Sequence, residues 1–311
     1  MTGSIEPKAV MVNVLKGGIG KTTVTKNTAN ALGEDSRVLV MDTDDNGHLT
    51  KHLGFEEEFK RGKTFANVLD EYDDTEVVDI IQPTKFNFDF IPATHHTEVV
   101  EAKFKNKAMN MNLVLKKKLV DPFLEDYYDY ILFDTPANRS LLTLNAAVAA
   151  GNLIMPISSG EQGKDGIRAT MQRIYRELNE EVPGGMQMLA MVPNKINDRL
   201  DQQTNDRQML EEINTAQIGN GLSMDQWVPN FARIPSEIWE KIDAGELASN
   251  PKPGIRTDKA LDNKAPVHEV DPQSESIEYF DELAEIVKYG GVQRQDNITE
   301  TLIEKHGGTL A

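Results

Sequence analysis

The chain has 311 residues, a formal net charge of −17 and no cysteine. The length suits one large α/β domain or two small ones. The missing cysteine excludes disulfides, thiolate metal sites and iron–sulfur clusters. No run of about 18 apolar residues suggests a spanning helix. The opening MTGSIEPKAV has no basic stretch leading into an apolar core. No signal peptide is therefore expected, and the expected location is cytoplasmic. The acidic excess argues about solubility and association rather than fold. A carboxylate-rich surface also suits a halophilic source, an expectation that full activity in dilute buffer would count against.

In chain order, Ala9 to Leu15 is an apolar run and Val24 to Leu32 has a helical pattern. Between them stands Lys16, Gly17, Gly18, Ile19, Gly20, Lys21, Thr22, Thr23. A strand, a glycine-rich turn and a helix in that order form a phosphate-binding loop. Glycine lets successive N–H groups turn inward, and the helix N-terminus adds its own unpaired donors. Lys21 stands where an ammonium reaches the β- and γ-phosphates, and Thr22 offers a hydroxyl to Mg²⁺. The expected cofactors are ATP and Mg²⁺.

The extra lysine, Lys16, opens the octet. In this the chain resembles the deviant-Walker ATPases, whose loop is KGGxGK[ST]T: the ParA/Soj partition proteins, MinD and the nitrogenase iron protein. The absence of cysteine removes the iron–sulfur members. The resemblance implies a single P-loop NTPase domain over residues 1–290, α/β, with a mostly parallel twisted sheet and helices on both faces. It implies that Lys16 reaches across a dimer to the partner's nucleotide. It extends over most of residues 9–288, apart from insertions at about 95–120 and 235–263. A polar tail follows at 291–311.

Ser36 to Asp42 is a buried parallel strand ending in a carboxylate. The stretch after it resembles the family's DxDPQxNxT: Asp42, Asp44 and Thr50 match, whereas Asp45, Asn46 and His48 depart from it. By resemblance, Asp44 orients or activates the attacking water and Asp42 supports Mg²⁺ through its outer shell. Lys51 to Asp79 is polar and mostly helical by pattern. Val77 to Ile81 and Phe86 to Ile91 are expected strands. His95 and His96 lack metal-ligand spacing and fit a solvated loop. Lys103, Lys105, Lys107, Lys116, Lys117 and Lys118 interleave with apolar residues. That run suits either a DNA or partner surface or a solvated helix face whose lysine stems cover apolar surface.

Asp129 to Asp134 is an apolar strand ending in a carboxylate, the position that holds Mg²⁺ near a phosphate loop. Leu141 to Gly151 resembles the partition proteins' helix LTxNALxAA. Asn152 to Ile157 and Met186 to Val192 are expected strands, with an amphipathic helix over Arg168 to Leu178 between them. By resemblance, Asn194 reads the adenine edge and Pro229 lies beside the base. Arg199 and Arg207 join the candidate DNA contacts. Ile277 to Val287 is the expected closing helix.

The tail lacks the cationic amphipathic helix with which MinD meets membranes. The favoured reading is thus a Mg-ATP-dependent dimerising switch for plasmid or chromosome partitioning. It is expected to bind DNA nonspecifically when ATP-bound, to lie on the nucleoid, and to be released when a ParB-like partner stimulates hydrolysis. The alternative is a MinD-like ATPase positioning a membrane or protein cargo without DNA. A ligase-type relative phosphorylating a small metabolite is the third.

Overall fold

A computed structural model describes residues 8–69, 72–93, 111–158, 161–178, 181–182, 185–194, 217–218, 222–223, 265–274 and 276–289. The main sheet has seven strands: β1 (Lys8–Val12), β2 (Val38–Asp42), β3 (Gln82–Pro83), β4 (Asp89–Ile91), β5 (Tyr130–Asp134), β6 (Asn152–Ile157) and β7 (Gln187–Pro193). Their order is β3-β4-β2-β5-β1-β6-β7. All neighbours are parallel except β3 and β4. The two-residue β3, carrying Pro83, lies at the edge, where a missing N–H costs no ladder bond.

The centre is β5, whose Tyr130, Ile131, Leu132 and Phe133 are fully buried. Such uniformly apolar strands belong in a parallel sheet covered on both faces. The covering helices are α1 (Lys21–Leu32), α2 (His48–His52), α3 (Glu56–Arg61), α4 (Phe65–Val68), α5 (Val77–Ile80), α6 (Asp121–Phe123), α7 (Leu141–Ala150), α8 (Glu161–Thr170), α9 (Val267–Val270) and α10 (Ser276–Tyr289). One layer holds α1, α9 and α10; α7 packs with the helical stretch 111–120 in the other. No described helix is long and apolar enough to cross a membrane.

Three expectations change. Val77–Ile80 is helical rather than extended, because Glu76 and Asp79 form a capping box, with Glu76 N donating to Asp79 Oδ2 at 2.9 Å. The strand expected from Phe86 begins only at Asp89, since the Thr84 hydroxyl accepts from Phe86 N at 3.1 Å and the chain bends over 85–88. The helix expected from Arg168 starts at Glu161 and passes into a π-helical turn over Met171–Arg176. The basic run's Lys103 to Lys107, His95, His96, Arg199, Arg207, Pro229, the 235–263 insertion and the tail lie outside the described residues.

Helix α1 is polar in sequence and almost wholly buried. Two of its buried polar side chains find partners at the entry to α9. Lys26 Nζ donates to Ala265 O at 2.8 Å, and Asn27 Oδ1 accepts from Val267 N at 2.7 Å. At the amino end of β1, Lys8 Nζ donates to the last carbonyls of α10, those of Val287 and Lys288, at 3.0 Å each.

Lys26 is fully buried, and desolvation pushes its pKa down to about 8. Below that pH the folded state carries a disfavoured buried charge. Between pH 8 and the unfolded value of 10.5 that penalty fades, so this group's contribution to stability rises with pH. Relative to Lys26→Met, the wild type is expected to gain up to about 3 kcal/mol across that window. Urea midpoints of both proteins at pH 7.5 and 10.5 check this; a gap unchanged by pH contradicts it.

Candidate nucleotide site

The octet links the carboxyl end of β1 to α1, at the edge where β2 and β5 also end. Its entry is tied down on three sides. Asn13 N donates to Ile154 O at 3.0 Å, Asn13 Nδ2 to Thr135 Oγ1 at 2.7 Å, and Leu15 N to Thr170 Oγ1 at 2.8 Å. Gly18 and Gly20 have φ of 74° and 94°, a region that favours glycine. A Cβ built on Gly17 or Gly18 would meet nothing within 4 Å, so this arc faces open space. Such an arc of exposed glycine backbone beside a helix N-terminus suits an anion.

Lys21 folds back over the loop, its Nζ donating to Lys16 O at 3.0 Å. Burial pulls its pKa down, opposed by Asp134 and Asp44. Asp134 is also buried. It accepts from Thr22 Oγ1 at 2.8 Å and Thr25 Oγ1 at 3.1 Å. Desolvation raises its carboxyl pKa, and these hydroxyls together with Lys21 work against that rise. A threonine hydroxyl beside a carboxylate is a hard oxygen pair of the kind Mg²⁺ takes. The described residues gather no cluster of three or more metal-ligating His, Cys, Asp or Glu side chains.

Asp42 is the register partner of Asp134 on the adjacent strand. Its oxygens are committed inward: Oδ1 accepts from Asp44 N at 2.9 Å, and Oδ2 from Thr50 N and Oγ1 at 2.9 and 2.7 Å. Asp42 therefore frames the loop from 43 to 50 and reaches the cation region only through its neighbours. Burial, with Asp134 alongside, pushes its pKa up.

Asp44 is mostly buried. Asn46 donates to its Oδ1 through backbone and side chain, both at 2.9 Å, and His48 Nδ1 lies 3.1 Å from its Oδ2. Burial works to raise its pKa, but the Asn46 and His48 bonds outweigh that and hold it below the usual range. Two residues that depart from the family pattern are thus the ones gripping the candidate water-orienting carboxylate.

Asn194 lies under the loop. It is buried, and its Nδ2 donates to Ile19 O. Lys117 and Lys118 are exposed on the π-helical turn Lys116–Val120, while Lys116 pairs with Asp121. Sequence reasoning missed Asn13, Thr25, Thr135 and Thr170. Only Thr25, one turn beyond Thr22 on α1, left a signal, because a helix places both hydroxyls on one face.

A family model described as an AAA domain, AAA_31, matches residues 7–183. The chain belongs to this family. Within it, the chain is of the ParA/MinD-type partition ATPases. It is 29% identical over 212 residues to the sporulation initiation inhibitor protein Soj of Bacillus subtilis, covering 66% of this chain and 78% of that one. It is 27% identical to the chromosome partitioning protein ParA of Myxococcus xanthus, covering 61% and 67%. Among solved structures, an ATP complex of a Cyanothece McdA variant superposes with a TM-score of 0.69 at 21% identity, covering 92% of this chain and 97% of that one. The sheet and loop described above are that ATPase fold.

A Cβ on Gly20 would lie 2.0 Å from Asn194 Nδ2, at a φ that L residues avoid. Gly20→Ala is therefore expected to distort the loop and weaken ATP binding by about 100-fold or more, some 3 kcal/mol. Titration with a fluorescent ATP analogue checks this; affinity within a factor of three of wild type contradicts it.

Proposed function

We propose that this ATPase works as a dimerising switch, in which Mg-ATP brings two copies together and hydrolysis parts them. The observation that carries the reading is the contrast between the two loop lysines. Lys21 is bound to its own loop, whereas the Lys16 ammonium has no hydrogen-bond or ion-pair partner among the described residues. A half-exposed cation at the loop entrance, without a partner among the described residues, supports a role toward a second nucleotide. In the closed dimer Lys16 contacts the partner's phosphates, while Lys21 and the backbone N–H groups hold the chain's own. Thr22 and Asp134 would hold Mg²⁺, which would neutralise phosphate charge. Asp44 orients the attacking water once its grip by Asn46 and His48 is rearranged, so unstimulated turnover is slow. Asn194 and, by resemblance, Pro229 border the base.

The output proposed is nonspecific DNA binding in the ATP state, hence nucleoid association, with a stimulating partner protein triggering release. Lys117 and Lys118 are the described residues best placed for it. Counterion release makes such binding steeply salt-dependent. A second reading, a positioning ATPase acting on a membrane or protein cargo without DNA, draws support from the same surface. Lys116 is neutralised by Asp121, and the chain as a whole is strongly acidic.

With Mg-ATP the wild type is expected to elute as a dimer and with ADP as a monomer, whereas Lys16→Ala stays monomeric with both. Light scattering coupled to size exclusion measures this, and an ATP-dimer of Lys16→Ala contradicts it. Replacing Lys117 and Lys118 together with Glu is expected to abolish ATP-dependent DNA co-sedimentation. Undiminished retention removes that surface from the reading, and liposome rather than DNA retention favours the second one.

A further inference from the structure

We infer that Thr170 is a positioning residue for Lys16, setting the phosphate-loop entry so that this lysine can reach across the dimer. The inference rests on the switch proposed above and assigns a role to a residue that lies outside every motif of the loop.

Thr170 is fully buried at the end of α8. Its hydroxyl uses both of its functions. It donates to Gly166 O, one turn back, at 2.7 Å, and accepts from Leu15 N at 2.8 Å. A hydroxyl that must donate in one direction and accept in another has a fixed orientation, so the Leu15 amide is fixed with it. Leu15 is the residue immediately before Lys16. On its other side, Lys16 N donates to Val14 O at 2.7 Å, which tightens the entry into a three-residue turn.

Gly166 completes the contact. A Cβ there would lie 2.9 Å from Lys16 Cβ and 3.3 Å from Val14 Cγ2. The helix thus touches the root of the Lys16 side chain, and Thr170 holds the backbone beside it. The same stretch of chain also reaches the loop after Asp134. Arg139 Nε donates to Arg173 O at 3.3 Å, and Arg139 Nη2 meets Glu177 Oε2 at 2.6 Å. Both lie on or beside the π-helical turn that begins directly after Thr170. Wide turns of this kind recur at functional sites. One helical segment therefore bears on the entry of the phosphate loop and on the loop that follows the Asp134 strand.

Two substitutions separate the hydroxyl from the packing. Thr170→Val keeps the shape and removes both hydrogen bonds; Thr170→Ser keeps the hydroxyl. In Thr170→Val, hydrogen exchange at the Leu15 amide is expected to speed up by about 10-fold or more without nucleotide, because its acceptor is gone. Mg-ATP-dependent dimerisation is expected to weaken by about 10-fold or more, while the affinity of the monomer for ADP changes by less than about 3-fold. Thr170→Ser should match the wild type in all three. Unchanged Leu15 exchange in Thr170→Val overturns the inference whatever the dimer does. So does a Thr170→Ser as impaired as Thr170→Val, or a parallel loss of ADP affinity and dimerisation, which marks a merely structural role. A wild type that never dimerises with ATP sinks the switch reading instead, and the exchange measurement then still decides whether Thr170 holds the loop entry.

Discussion

Two carboxylates, Asp42 and Asp134, end neighbouring strands at the same register and are both buried. Placing two acids side by side out of water is unfavourable unless donors surround them. The surrounding chain supplies those donors in two separate sets. Asp42 is satisfied by Asp44 N and Thr50, which shapes the second loop. Asp134 is satisfied by Thr22 and Thr25 of α1, with Lys21 near by, which joins the Asp134 strand to the phosphate loop. The pair therefore sets where both loops stand relative to one another. Lys21 adds cationic charge on the Asp134 side.

Rigidity and openness are divided across the site. The entry of the phosphate loop is held by contacts from β6, the turn after β5, and α8, and its exit runs directly into α1. Its central glycines face open space. A cradle that is fixed at its ends and bare at its centre can bind an anion without first being ordered, which keeps the entropic cost of binding low. Asp44 is the exception. Its carboxylate is engaged by Asn46 and His48, while its charge still acts on Lys21 and Asp134.

Much of this was legible in the sequence because it is local. A phosphate loop is eight consecutive residues, and Asp42 and Asp134 declare themselves as acids at the ends of apolar strands. The parallel sheet was implied by the family resemblance, and the apolar run Ser36 to Asp42 fitted it. The unread parts depend on distant contacts. Thr170 meets Leu15 from 155 positions away, and no spacing rule connects them. The burial of α1 is hidden by its polar composition, since its partners come from residues 265 and 267. Val77–Ile80 looked extended because β-branched residues suit strands, and the Glu76 and Asp79 cap overrode that preference. His48 looked like a departure from the family pattern, yet in place it takes up a bond to Asp44.

The central claim is that the cradle around Gly17 and Gly18, with Lys21 from its own chain and Lys16 from a partner, holds a triphosphate shared by paired subunits. The most direct measurement is a crystal structure grown with Mg²⁺ and a nonhydrolysable ATP analogue. The switch places the phosphates against the loop N–H groups, with the partner's Lys16 ammonium within hydrogen-bonding distance of them. A nucleotide bound elsewhere, or one bound in this cradle with both lysines contributed by the same chain, would contradict it.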